Sequence, residues 1–316
     1  MITRALRERP GLPAPSTRYL LARDGTLEVD ESLPGPRVGP EHTGHDAIPP
    51  LLALVRHSDD RLHYLVVETG RDGAEVRRER AGRIPELVEE IEGRTDALPK
   101  VHAGGLSEAR YQRTSEEIWK LNQREVADTV NALVRENAPA FLIVSGDVRA
   151  RQLLRDELSD AARRLVVDVE AHTRAAGADD GLLDSAIAEE LESHHDEAVA
   201  DASDRADVDN GRRGAHGIPE IVAALQQAQV ETLLLDARLA ESDQLLDALE
   251  APPWVGSDDD LDVGIVARVP AAEALVRAAI LTDARILIAG DEPDAEDAPR
   301  EHRAPRPPLA VLRWPR

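Results

Sequence analysis

The sequence contains no cysteine, and this absence excludes structural disulfides and zinc sites with cysteine ligands. Aromatic residues make up only 2% of the chain, so its cores have to be built from leucine, valine, isoleucine and alanine. No apolar run approaches the roughly 20 residues that a membrane-spanning helix needs. Residues 1–4 lead into arginine and proline instead of the apolar core of a signal peptide. We therefore expect a cytoplasmic protein with no membrane partner.

Positive charge is also scarce. The net charge is -23, with 61 acidic against 38 basic residues, and such a chain should as a whole be repelled by nucleic acid. The only two lysines lie close together, at positions 100 and 120. Between residues 100 and 124, five basic residues outnumber three acidic ones, and the five are Lys100, Arg110, Arg113, Lys120 and Arg124. If any part of this acidic chain touches RNA, we expect it to be this segment.

Two adjacent glycines stand before a long helical pattern in the same segment. Gly104 and Gly105 can adopt positive φ and let the backbone approach a ligand closely. From Ser107, the predicted N-cap, no glycine or proline occurs until residue 139, and apolar residues recur at helical spacing. Arg110 and Arg113 lie three residues apart, so they share a face that suits phosphate contacts. The alternative is an ordinary loop before a helix with solvated arginines.

The spacing resembles the Gly-Gly-Gln-Ser-x-x-Arg-aromatic-x-Arg motif of the archaeo-eukaryotic class-1 translation release factors. The six matching positions are Gly104, Gly105, Ser107, Arg110, Tyr111 and Arg113. Leu106 stands where that family has its hydrolytic glutamine. Bacterial members with a degenerate tip, the Balon-like ribosome hibernation factors, are more similar in this respect than true terminators. The resemblance covers roughly residues 62–316 and is densest at the glycines.

This resemblance implies a ribosome-bound function. In the family, the tip enters the peptidyl-transferase centre, where the glutamine helps to position water for hydrolysis of peptidyl-tRNA. Leucine offers no side-chain donor or acceptor, so we expect no catalytic residue and no enzyme. The implied function is occupation of the A site of idle or stalled ribosomes, with large-subunit rRNA and elongation factor Tu or another translational GTPase as partners. The residues expected at RNA are Lys100, His102, Gly104, Gly105, Ser107, Arg110, Tyr111, Arg113, Lys120 and Arg124.

Two other functions stay open on the sequence. The first is a peptidyl-tRNA hydrolase that rescues ribosomes or releases peptides, using the backbone of Gly105 and Leu106 alone. The second is an acidic scaffold without any role on the ribosome. A peptide-release assay distinguishes the hydrolase from a factor that only binds ribosomes. Co-sedimentation with ribosomes distinguishes the acidic scaffold from both.

The chain is expected to be a multidomain α/β protein, divided into residues 1–60, 61–195 and 196–316. The first part is rich in proline and glycine, contains a hairpin signal at Asp24-Gly25, and is interpreted as a shortened N-terminal region. The second alternates predicted strands at 62–68, 74–78, 140–146 and 165–169 with the long helix and a helix at 151–158. It resembles the middle domain of the family.

The acidic, alanine-rich segment 179–209 predicts a further helix. The third part then predicts a helix beginning near Pro219, a buried strand at 229–235 and closing strands at 284–289 and 309–314. It resembles the ribosomal-protein-like α/β/α domain of the same family. The runs 252–254 and 258–260 are expected to form a surface insertion.

No cofactor is expected. His194 and His195 are adjacent on a helix, have no histidine four residues away, and are interpreted as solvated residues rather than metal ligands. Gly211, Gly214 and Gly217 precede a helix but do not follow a strand in the manner of a nucleotide-binding loop. Nucleotide binding is therefore discounted.

Overall fold

A computed structural model describes residues 2–5, 15–34, 41–57, 62–83, 86–94, 106–170, 181–256, 262–289 and 306–316. The chain forms two compact units. Residues 60–194 make the middle unit, and residues 1–59 together with 195–316 make the terminal unit. The units change next to the boundaries predicted from the sequence, and the N-terminal residues group with the C-terminal part. Whether residues 1–60 are a domain of their own stays a prediction.

The N-terminal elements are α1 (Ile2–Ala5), β1 (Ser16–Arg23), β2 (Thr26–Pro34) and α2 (Leu52–His57). Strands β1 and β2 pair antiparallel across the turn at Asp24-Gly25, which confirms the predicted hairpin. Both turn residues have positive φ, 48° and 82°, as a two-residue turn between twisted strands requires. The start of α2 is held in the terminal unit, because the Leu51 and Leu52 amides donate to Glu273 Oε2 at 2.8 and 3.2 Å.

The middle unit is built on one five-stranded sheet with the order β5-β4-β3-β6-β7. Its elements are β3 (His63–Gly70), β4 (Gly73–Arg80), β5 (Leu87–Glu92), α3 (Leu106–Asn137), β6 (Leu142–Gly146), α4 (Val148–Glu157), α5 (Asp160–Arg163) and β7 (Val166–Asp168). Strands β3, β6 and β7 run parallel, while β4 and β5 join antiparallel. Helix α3 lies in the crossover between β3 and β6, and parallel neighbours need such a connection.

Both faces of this sheet are covered. On one face, Leu65 and Val67 pack with Val126 and Val130 of α3. On the other face, the core around Tyr64 and Phe141 receives the first part of α6 (Gly181–Gly211). The Tyr64 hydroxyl donates to Glu79 Oε2 at 2.8 Å, and burial together with this carboxylate raises the pKa of Tyr64. Strand β6 is entirely buried because it lies in the parallel part of this sheet, which is covered on two sides.

The rest of the terminal unit contains a four-stranded sheet of order β13-β9-β14-β8 and a three-stranded sheet of order β11-β10-β12. Its elements are β8 (Gly214–His216), α7 (Gly217–Gln226), β9 (Val230–Asp236), a 3-10 helix (Ala237–Glu241), β10 (Leu245–Leu249), β11 (Val255–Gly256), β12 (Ile265–Pro270), α8 (Ala271–Leu281), β13 (Arg285–Ala289) and β14 (Leu309–Leu312). Helices α7 and α8 supply its core, in which Ile221, Leu225, Leu233 and Leu275 are fully buried. The predicted multidomain α/β class is confirmed.

Two sequence interpretations were wrong. Trp254 does not belong to a surface insertion, because its ring packs against the core of the terminal unit. The Arg277 guanidinium of α8 lies over the ring, with its Cζ 5.8 Å from the ring centroid. Residues 258–260 of the same expected insertion lie outside the described residues. His194 and His195 are not freely solvated: His194 stacks on Phe141, and His195 Nε2 lies 2.8 Å from the Ile288 carbonyl oxygen. Tertiary packing overrides the polar appearance of both segments.

Candidate functional site

Helix α3 is the element that carries the segment singled out by the sequence. It runs from Leu106 to Asn137 without interruption, 32 residues or about 48 Å at 1.5 Å per residue. The predicted long helix is thereby confirmed. Ser107 was predicted as its N-cap, but the helix begins one residue earlier, so Ser107 lies in the first turn. A capping residue is identified from sequence only to within a residue or two, because helix ends are defined by backbone geometry.

The predicted RNA-contact residues fall into three groups. Lys100, His102, Gly104 and Gly105 lie outside the described residues. Ser107, Arg110, Tyr111 and Arg113 have helical backbone in α3, and their side chains are not among the described ones. Lys120 and Arg124 are described in full, and both are exposed on α3. Their role in binding RNA stays a prediction for all ten positions.

The four basic positions of α3 near its start share one stripe. Arg110 and Arg113, and then Lys120 and Arg124, are separated by three, seven and four residues, so successive positions return to the same side of a helix with 3.6 residues per turn. Several buried residues of α3 lie on the opposite side, among them Asn122, Val126, Val130 and Leu133. One face of the helix is therefore fixed to the sheet. The other presents the four basic positions together with the exposed Glu117, which lies four residues after Arg113 and three before Lys120.

Ion pairs connect α3 to α4. Lys120 Nζ lies 3.5 Å from Glu157 Oε1, and Glu116 pairs with Arg149. Solvent reaches both pairs, so each contributes only about 0.2–1 kcal/mol. Within the described ranges, Arg124 has no acidic side chain at ion-pair distance. Its charge is consequently available to an external anion.

A second basic group beside α3 was missed by the sequence analysis. The Arg71 guanidinium lies over the Trp119 ring, 4.7 Å from its centroid, and Arg71 Nε lies 3.0 Å from Asp147 Oδ2. Arg71 is in the turn between β3 and β4, and Asp147 caps the start of α4. These contacts link three elements around the middle of α3. The only sequence signal was the rarity of tryptophan, of which the chain has three.

Neither a metal-binding cluster nor a membrane-spanning helix is found in the described ranges. No group of three or more histidine, cysteine, aspartate or glutamate residues there could hold a metal ion. No helix of that part of the chain is long and apolar enough to cross a membrane.

Comparison with known proteins identifies the class of the middle unit. Residues 63–212 match the family described as bacterial archaeo-eukaryotic release factor family 2. The matched range runs from the start of β3 to the end of α6, so it contains α3 and the glycine pair before it. Over these residues the chain is release-factor-like and similar to the bacterial branch of the archaeo-eukaryotic release factors, which are translation factors.

Two curated relatives are the uncharacterized proteins Rv2629 and MT2704 of two Mycobacterium tuberculosis strains. Each is 27% identical to this chain over 222 residues, which is 69% of this chain and 59% of the relative. The chain thus spans less than two thirds of the length of these relatives.

Solved structures of related factors are similar over most of the chain. A model of ribosome-bound archaeal Pelota and ABCE1 has 15% identity and a TM-score of 0.43, covering 82% of this chain and 63% of that one. Dom34 of Saccharomyces cerevisiae, a translation termination-like factor that interacts with Hbs1, has 13% identity and a TM-score of 0.41, covering 82% and 63%. At these TM-scores the likeness carries no argument about function.

Proposed function

We propose that this protein binds the A site of idle or stalled ribosomes and protects them without hydrolysing peptidyl-tRNA. The observation that carries the proposal is α3, a helix fixed to the sheet along one face, with basic positions along the other and a glycine pair before its first residue. Its location inside the family match supports the same function. Large-subunit rRNA near the peptidyl-transferase centre is the proposed partner of the basic stripe.

The distribution of charge along the chain supports RNA binding by the segment around the start of α3. The chain has a net charge of -23, so most of its surface should be repelled by rRNA. The stripe of Arg110, Arg113, Lys120 and Arg124 belongs to the segment 100–124, in which five basic residues outnumber three acidic ones. Arginine suits phosphate contacts because its planar guanidinium can donate two parallel hydrogen bonds. An acidic body would then limit binding to the orientation in which this stripe faces RNA.

The absence of hydrolysis follows from Leu106. A glutamine at the first position of α3 could orient a water molecule through its amide, but a leucine side chain neither donates nor accepts hydrogen bonds. Loss of one positioning donor commonly costs about 10²–10³ in rate. The backbone amides near Gly105 and Leu106 remain, and they are the basis of the alternative function, a peptidyl-tRNA hydrolase in ribosome rescue.

The proposed setting is hibernation or stress in the cytoplasm, with a translational GTPase such as elongation factor Tu as a second partner. Support for the GTPase comes from the similarity of the third sequence part to the family domain that docks on such proteins. Binding to vacant ribosomes should then become tighter when elongation factor Tu is added. Equal binding with and without it would remove this partner from the proposal.

Two assays on the purified protein test the function. We expect the protein to co-sediment with vacant ribosomes and to release no peptide from peptidyl-tRNA bound in the P site. Release by the unmodified protein would replace the proposal with the rescue hydrolase. Failure to co-sediment even at low salt would leave only the acidic scaffold.

The variant Leu106→Gln tests whether the missing glutamine alone explains the absence of hydrolysis, or whether other residues of the motif region have changed as well. It restores the Gly-Gly-Gln-Ser motif with Ser107, Arg110, Tyr111 and Arg113 in place, and the two side chains are close in volume. We expect the variant to gain peptidyl-tRNA hydrolysis that the parent lacks. Leu106→Met is the matched control, because it changes the side chain without adding an amide and should stay inactive.

A further inference from the structure

Two adjacent polar side chains, Asn122 and Gln123, are buried in the middle of α3. Their exposed fractions are 1% and 0%, as low as those of the apolar residues around them. Burying an amide costs free energy unless its donors and acceptors find partners. These two side chains therefore require a reason for their position, and their contacts supply one.

Gln123 is bonded to the end of strand β3. Its Nε2 donates to the Gly70 carbonyl at 2.7 Å, and its Oε1 accepts from the Thr69 hydroxyl at 2.8 Å. Thr69 is itself fully buried. The amide thus satisfies one donor and one acceptor at the point where β3 turns into β4.

Asn122 joins the same turn to the end of β5. Its Oδ1 accepts from the Arg94 amide at 2.8 Å, and its Nδ2 donates to the Arg71 carbonyl at 3.1 Å. The Asn122 amide also approaches Gly93 so closely that a Cβ there would lie 2.5 Å from it. Two antiparallel strand ends are consequently tied to one point of α3.

The apolar contacts of α3 cannot fix its position as well as these amides can. Burial of Val126, Val130 and Leu133 is stabilising but has little directional preference, so it tolerates small rotations and shifts of the helix. Hydrogen bonds need defined distances and angles. A buried amide that selects one register among several is a known use of polar residues in helix packing.

We propose that Asn122 and Gln123 are positioning residues that fix the rotation and axial position of α3 on its sheet, and so aim the start of the helix at the ribosome. This inference rests on the proposed function in its last step only. The start of α3 lies 16 residues from Asn122, about 24 Å along the helix. A tilt of about 10° at the amides would move that start by about 4 Å over this length.

The absence of cysteine makes a direct distance measurement possible. We suggest spin labels on cysteines introduced at Glu117, which is exposed on α3, and at Asp156, which is exposed on α4. The parent should give one narrow distance distribution. In Asn122→Leu/Gln123→Met, the distribution should become about twice as wide, because a core loses uniqueness before it loses stability. A shift of at least about 1.5 Å, the rise of one helical residue, would support the inference equally.

Ribosome affinity and thermal melting are measured on the same proteins. We expect the double variant, without labels, to bind ribosomes at least about tenfold more weakly, because small misplacements of a docking group are costly. Its melting temperature should fall, because the buried Thr69 hydroxyl and the Arg94 amide lose their partners, so affinities and distances are compared well below that temperature.

Thr69 supplies a matched pair of variants in case the double variant does not fold. Thr69→Ser keeps the hydroxyl that donates to Gln123, and its distance distribution should equal that of the parent. Thr69→Val keeps the shape but removes the donor, and its distribution should widen.

Unchanged distances in both Thr69→Val and the double variant would overturn the inference, as would wide distances with full ribosome affinity. If the distances widen but the parent itself does not bind ribosomes, the positioning of α3 stands and the proposed function fails.

Discussion

Helices α3 and α6 are almost equal in length, 32 and 31 residues, but they differ in charge and in packing. Between its ends α3 has five basic and six acidic residues, whereas α6 has one arginine and ten acidic residues. Helix α3 packs Val126, Ala127, Val130, Leu133 and Val134 against one face of one sheet. The first part of α6 packs within the middle unit and the later part within the terminal unit.

The side chains at the two interfaces differ as well. Helix α3 contributes valine and leucine to its core, together with two buried amides. The later part of α6 contributes Ala202 and Ala206, whose small side chains let the helix approach Leu287 and Val311 closely. A Cβ on Gly214 would lie 2.5 Å from the Ala206 carbonyl oxygen, which shows how close the backbones are.

The comparison teaches that a long amphipathic pattern predicts a helix but not its role. The amount of negative charge separates the two: basic and acidic residues nearly balance in α3, whereas α6 has ten acidic residues and one arginine, so RNA would repel α6 much more strongly. The two helices also differ in the size of their buried side chains. Large residues of α3 fill the space over a sheet face, while alanines of α6 permit close backbone contact. We therefore propose that α3 contacts RNA and that α6 has a packing role, and the variants below test that proposal.

The largest effect is expected from Leu133→Ala in α3. Leu133 is 6% exposed in the core under the sheet, so its truncation should lower the free energy of unfolding by about 2–5 kcal/mol. Leu182→Ala in α6 is the control, because Leu182 is 55% exposed and should change stability by less than about 0.5 kcal/mol. Denaturant titration measures both. Equal losses would show that the two helices are not packed as described.

The next largest effect is expected from Arg110→Glu/Arg113→Glu. Reversing two basic positions of the stripe should weaken ribosome binding on the order of tenfold or more, with a greater loss at low salt than at high salt. Removal of two phosphate contacts should reduce the slope of log Kd against the logarithm of the salt concentration by about two.

Arg135→Glu/Arg164→Glu is the matched control for charge. Arg135 is exposed near the other end of α3, Arg164 is exposed after α5, and the net charge changes by the same amount. Co-sedimentation of this control should stay close to that of the parent. Equal weakening by both pairs would mean that general charge, and not the stripe, governs binding.

A smaller effect is expected from Ala206→Leu in α6. Ala206 has no exposed surface, and a leucine there would overpack the contact with Leu287 and Val311, at a cost of about 1–3 kcal/mol. Ala200→Leu places the same side chain at an exposed position of α6 and should be nearly neutral. Thermal melting distinguishes them, and a neutral Ala206→Leu would refute close packing of α6.

The smallest effect is expected at exposed ion pairs, where the two helices should not differ. Arg205 of α6 lies 2.6 Å from Glu231, and Glu116 of α3 pairs with Arg149. Arg205→Ala and Glu116→Ala should each cost no more than about 1 kcal/mol, since both pairs are exposed. A loss of several kcal/mol from either variant, measured by denaturant titration, would contradict this ranking.

Local patterns in the sequence were sufficient for the elements of the middle unit other than β5 and α5, and for α7, β9, β13 and β14, but α8 and β10 to β12 were not predicted. The 32-residue helix, the Asp24-Gly25 hairpin and the apolar strand β6 follow from periodicity and turn residues close together in the chain. Strand β5 was missed because Glu89, Glu90 and Glu92 hide its pattern at the edge of the sheet. The pairing of β14 between β9 and β8 was not predicted, since it joins residues distant in sequence.

In the candidate site, too, only features formed by residues close together in the sequence could be predicted. The basic stripe could be predicted because its residues lie on one helix at short spacing. Asn122 and Gln123 could not, because polar residues in an amphipathic helix usually face water, and their partners lie 28 and 53 residues away. Trp254 was misinterpreted for a similar reason: its neighbours Pro252 and Pro253 suggest a loop, while the core that receives its ring is formed by other segments.

The central claim is that the start of α3 is the ribosome-binding end of the molecule. Cryo-EM of the unmodified protein on vacant ribosomes tests it most directly. The account predicts the protein in the A site, with Leu106 next to the peptidyl-transferase centre and Arg110 and Arg113 against rRNA phosphates. A complex in which α3 points away from the large subunit, or in which α6 faces the rRNA instead, would contradict it.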